Sequence, residues 1–189
     1  MRLNEALNLI LPCGNLQAHH SPISREVFEA NYRILAATRA ALSGKSVVYQ
    51  MYAGPRIAKL ALLDEAKADA EERGQENAGK SFLAELKRLT VILCPTPQGF
   101  TPMPVDAAIQ GQHIDSEDWA EAESAIVFFT CVWSMESRAE RAKVGQAMAS
   151  LLKGSITSSN ASEFAASSAV SMKESPSTPE ASAETSFPT

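Results

Sequence analysis

The chain predicts a mainly α fold: a compact multi-helix domain over residues 1–154 and a disordered tail over 155–189. Three observations predict it. Apolar residues recur at three- and four-residue spacing before Gly154, the period of helices with one buried side. Ser, Asp, Gly and Pro stand where such helices would begin and end. Past Gly154 the chain turns to Ser, Ala, Thr, Pro and Glu, with only Ile156, Phe164, Val170, Met172 and Phe187 as larger apolar residues. A segment of that composition buries too little surface to offset the entropy of ordering it.

Residues 3–11 are amphipathic and could open as a short helix, but Pro12 and Gly14 break the pattern. A short N-terminal β-hairpin over 8–23, turning at Gly14-Asn15, is the other option. Ser24 is a good N-cap, with Ile23 and Phe28 at the positions of a hydrophobic staple. That helix should stop at Gly44 and bury Val27, Ile34, Leu35, Thr38 and Leu42. Residues 45–53 contain VVYQMY, a short strand or a helix extension. A second helix starts at Gly54-Pro55 and ends at Gly74, with Ile57, Leu60, Ala61 and Leu63 as its apolar side. A third follows Asn77 and places Phe82, Leu83, Leu86, Leu89 and Leu93 on one face.

Residues 94–104 carry four prolines and read as a loop, or as a hairpin around Gln98-Gly99. A turn or two of helix over 105–110 follows. Asp115 or Ser116 then caps the strongest helix in the chain, which has acidic residues in its first turn. Trp119, Ala122, Ile126, Phe129 and Trp133 follow helical spacing, widened by Val127, Phe128 and Val132. Residues 125–133 are apolar nearly all round, so they call for burial on more than one side, within the domain or against a partner or twin subunit. Trp119, Ile126, Phe129 and Trp133 are therefore the candidate core or partner-contact residues. A last helix over 138–153 turns Val144, Met148, Leu151 and Leu152 inward and stops at Gly154.

The formal net charge is -5. Neither domain nor tail has the basic excess with which proteins neutralise phosphates, so nucleic acid is not an expected partner. The three cysteines, Cys13, Cys94 and Cys131, are scattered and lack CxxC spacing, which argues against a disulfide framework or a zinc site. No apolar run nears the length needed to span a bilayer, and no signal peptide is visible.

His19-His20 would point to opposite faces of a strand, a poor joint metal site, and reads as solvated loop histidines. Asp115, Glu117, Asp118, Glu121 and Glu123 lack the ligand alternation and glycine of a calcium loop and read as a solvated helix start. No GxSxG, no cysteine–histidine pairing and no phosphate loop is present. Asn160-Ala161-Ser162 matches a glycosylation sequon, expected to be accidental in such a tail. The sequence therefore leads to the expectation of no catalytic residue, no cofactor and no metal.

Several stretches taken in order carry a resemblance: LNEALNLILP (3–12), SPISREVFEANY (21–32), AGPRIAKLAL (53–62), FLAELKRLT (82–90), AIVFFT (125–130) and TSSNASEF (157–164). This series resembles the tail assembly chaperones of tailed bacteriophages. The resemblance implies a non-enzymatic protein of the host bacterial cytoplasm. It would hold the tape-measure protein soluble until tail-tube subunits polymerise around it, and would be absent from the finished virion. Such chaperones are often made in two forms by translational frameshifting. The family has no catalytic fingerprint, so no residue role transfers. A virion structural or adaptor protein of the same fold is the second reading, and a small enzyme with an unrecognised site the third.

Overall fold

A computed structural model describes residues 7–44, 51–74, 76–97 and 99–173, the side chains of 169–173 excepted. The hairpin option is the one the N-terminus takes. β1 (Asn8–Cys13) pairs antiparallel with β2 (Leu16–His20), in a register that sets Leu9 opposite His20 and Cys13 opposite Leu16. Gly14 has φ +57°, a turn conformation glycine adopts without strain.

α1 (Arg25–Ser43) begins at Ser24, whose hydroxyl accepts the Val27 N–H at 3.2 Å, and ends at Gly44. Ile34, Leu35, Thr38 and Leu42 are its buried face, as the spacing predicts, whereas Val27, also expected there, is only half-buried. The alternatives weighed for 45–50 lie outside the described residues. α2 (Gly54–Arg73) ends on Gly74 in the left-handed region, where the chain leaves the helix. Its buried seam is Gly54, Ala58, Leu62 and Ala66, not the side centred on Leu60, which is 62% exposed. Three of the four, Gly54, Ala58 and Ala66, are small and let α2 lie close against its neighbours, and hydropathy alone under-reads such a seam.

α3 (Gly79–Arg88) stops five residues before Leu93. Thr90-Val91-Ile92 is β-branched throughout and continues as β3 (Thr90–Thr96), which pairs with β2 and with β4 (Gly99–Pro104). The proline-rich stretch is thus a hairpin. Pro102 and Pro104 sit on the edge strand, where a missing N–H costs no ladder bond. α4 (Val105–Gln110) leads to α5 (Ser116–Trp133), opened by a capping box between Asp115 and Asp118. α6 (Arg141–Leu151) closes with Lys153 at φ +56° and with N–H bonds from Lys153 to Ser150 and from Gly154 to Ala149. The inward line of α6 is Gly145 and Ala149; the bulkier Val144, Met148, Leu151 and Leu152 are half-buried beside it.

The mainly α expectation is corrected by the sheet. Among the described residues the fold is mixed α/β, with five antiparallel strands in the order β4-β3-β2-β1-β5. β5 (Ser155–Thr157) pairs with β1, Ser155 opposite Ile10 and Thr157 opposite Asn8. α7 (Ala161–Lys173) packs on β4 and β3. The domain therefore runs past Gly154, and a tail disordered from Ser155 onward does not describe residues 155–173; residues 174–189 lie outside the described residues. Gly154 is a contact, not a boundary. A Cβ placed there would stand 2.1 Å from the Ile10 carbonyl oxygen.

Alternation along the strands divides the sheet into two faces. Leu9, Leu11, Cys13, Ala18, Ile92 and Cys94 point into the core shared by α1 to α6. Asn8, Ile10, His19 and Leu93 point to the other face, on which α7 packs, and all four are buried. α5 is the central helix, in contact with α1, α2, α3, α6 and β1.

Candidate functional site

The four residues singled out from the sequence are core. Trp119, Ile126, Phe129 and Trp133 are 6%, 0%, 1% and 6% exposed. Phe129 and Trp133 stack with centroids 5.9 Å apart. Apart from half-buried Ala125 and Val132, the apolar run over 125–133 is enclosed by other elements of the same chain, and its second side meets α1, α2 and α6.

His19 and His20 are both buried, not solvated loop residues. His20 faces the main core. Its Nδ1 lies 2.9 Å from the Thr90 hydroxyl, whose single proton goes to the Leu86 carbonyl at 2.8 Å. Nδ1–H must then donate to Thr90, leaving Nε2 a bare lone pair with no partner. Burial, with a smaller contribution from His19, pushes the His20 pKa down to about 3. On the opposite face the His19 Nε2–H donates to the Ser159 carbonyl at 3.1 Å, and the Asn8 amide donates to the same oxygen at 2.8 Å. Burial lowers His19 as well, partly offset by that hydrogen bond. These are structural bridges: one ties the end of α3 to the sheet, the other ties β1 and β2 to the segment before α7.

The acidic cluster separates into roles. Asp115 and Asp118 cap α5. Glu123 is buried and ion-paired to Lys59 at 2.5 Å, while the Ser124 hydroxyl accepts the Lys59 backbone N–H. Glu117 and Glu121 remain on the surface. Burial raises all three thiols, Cys13 and Cys131 to about 12, which leaves them protonated and weakly nucleophilic at neutral pH. Among the described residues, no three His, Cys, Asp or Glu side chains converge as metal ligands, and no helix is long and apolar enough to cross a membrane.

Two concave features flank α5. At its C-terminal end a cleft of about 340 Å³ lies between Ile23 and Phe28 on one side and Trp133 and Met135 on the other. Arg141 closes it, stacked 4.9 Å over the Trp133 ring and donating to the Ser134 and Glu136 carbonyls that end α5. Alongside the N-terminal half of α5 runs a larger groove of about 690 Å³. Met51, Tyr52 and Arg56 form one wall, and Leu151, Leu152 and Lys153 the other. Its floor is Ala122 and Ala125, continued by Leu11 and Pro12 beyond the reach of β5. Met51 is 48% and Tyr52 77% exposed. Arg56, Glu117, Glu121 and Lys153 ring the groove, and none has an ion-pair partner among the described residues.

Sequence reasoning missed this groove. Its walls and floor come from four separate places in the chain, and its apolar members belong to periodic patterns that read as interior. The one available signal was Met51-Tyr52, large apolar residues just before a helix start. No known protein family, curated protein or solved structure matches the chain.

Proposed function

We propose that this chain is a non-enzymatic assembly chaperone of phage tails, which binds the tape-measure protein and keeps it soluble while the tail forms. The observation that carries the protein-binding part of this reading is the groove beside α5. Exposed Met51 and Tyr52 stand over an apolar floor of alanine, leucine and proline, and charges sit only at the rim. That is the chemistry of a helix-in-groove site, where an amphipathic helix sets its apolar stripe on the floor and its polar flanks among the rim charges. A tape-measure protein, long and helical, would expose such stripes before tube subunits surround it. The resemblance of the sequence stretches to tail assembly chaperones supplies the identity of the client; the groove supplies the means.

Co-expression tests it. With the tape-measure protein of the same phage genome, the chain should keep that protein in the soluble fraction, and Tyr52→Ser should lose the effect while folding normally, because Tyr52 is exposed. A client that stays insoluble beside well-folded chaperone would sink the proposal. Mass spectrometry of purified particles separates the chaperone from a tail adaptor, since only the adaptor would be retained.

A further inference from the structure

We infer that, before a client arrives, the groove beside α5 is closed by a second copy of the chain, packed across a two-fold axis with α5 antiparallel to its counterpart. The inference rests on the groove being a protein-docking surface, and adds how that surface is held when empty of client.

A two-fold interface must be complementary to itself, so every patch that needs an anion has to supply one to its twin. The rim meets that condition. Arg56 and Lys153 stand on opposite walls, and Glu117 and Glu121 lie on α5 between them. All four lack ion-pair partners among the described residues, so each is open to an opposite charge from a second copy. Glu117, Ala120 and Glu121 fall on one helical face at three- and four-residue spacing. Ala120 is the small residue at its centre and lets two helices approach closely. An antiparallel crossing at Ala120 brings Glu117 and Glu121 of each copy to the arginine and lysine of the other. It also covers Met51 and Tyr52, the exposed apolar pair on the wall. Electrostatic matching of this kind sets register and orientation, while the apolar pair supplies the area.

A single cysteine tests the axis. The three native cysteines are buried, so Ala120→Cys introduces the one exposed thiol among the described residues. The full-length protein should sediment as a dimer. Ala120→Cys should form an intersubunit disulfide under mild oxidation at least about tenfold faster than Ala36→Cys, an exposed control on α1 away from the groove. Arg56→Glu should weaken self-association about tenfold or more, and adding Glu121→Arg should restore it. A monomer at every concentration, or a dimer in which Ala120→Cys cross-links no faster than the control, overturns the inference. Either result leaves client binding to be judged by co-expression alone, and a dimer that fails to solubilise the client overturns the function and not the dimer.

Discussion

On one face of the sheet, Leu9, Leu11, Ala18 and Ile92 belong to an aliphatic and aromatic core shared with the helices α1 to α6. On the other, Ile10, His19 and Leu93 lie on the side covered by α7, whose sequence is mostly Ala and Ser. The first face is held by area. The second adds hydrogen bonds, with Ser159 accepting from both Asn8 and His19, and a tilted contact between the His19 and Phe164 rings 6.1 Å apart. A segment need not be greasy to fold when the sheet beneath it brings the apolar side and the donors. Composition averaged over the segment misses this, because the average omits the partner.

The largest test of that contrast is removal of residues 155–189. It strips β5 from β1 and uncovers Ile10, His19 and Leu93, and should cost at least about 5 kcal/mol, read by urea unfolding. An unchanged midpoint would mean that the second face needs no cover. Trp133→Ala probes the helical side and should cost about 3–5 kcal/mol, since the ring is buried and stacked on Phe129; a change under about 1 kcal/mol would place it outside the core.

Acid should act through both faces. His19 and His20 have folded pKa values below their unfolded ones, so beneath about pH 6.5 the unfolded chain binds protons that the folded chain refuses. Stability is then full above pH 6.5 and falls as pH drops toward 3. For His20 alone the loss by pH 5 is roughly 2 kcal/mol. His20→Leu should flatten the pH dependence of thermal melting, and an equally steep profile in that variant would show that His20 is not the group involved. Phe164→Ala, a half-buried ring over His19, should cost about 1–2 kcal/mol. Smallest is Leu60→Gln, within about 0.5 kcal/mol by thermal melting; a larger loss would return Leu60 to the buried side of α2.

Helix caps and buried stripes were the legible part. Ser24, Gly44, Gly74 and Asp115 mark boundaries because each satisfies or ends a row of backbone groups locally. The aromatic face of α5 was legible for the same reason: one helix displays its whole pattern. What escaped was non-local. Thr90-Val91-Ile92 carried a strand signal that the leucine spacing of the preceding helix overran. β5 is too short to announce itself, and only its pairing with β1 reveals it. Gly154 was read as an end because glycines end helices, but Lys153 takes the left-handed turn and Gly154 makes room for Ile10. The candidate groove was least legible, since no single stretch contains it.

The pairing of β1 with β5 has a consequence for synthesis. A ribosome delivers Asn8 to Cys13 first, yet the second neighbour of that strand is Ser155–Thr157, and the Asn8–Ser159 hydrogen bond spans 151 positions. Closing so wide a loop is slow and entropically costly. Until Thr157 emerges, the nascent chain holds out a bare strand edge at Leu9 and Ile10, the kind of edge that recruits stray strands. Early in its synthesis this chain therefore needs cover of its own.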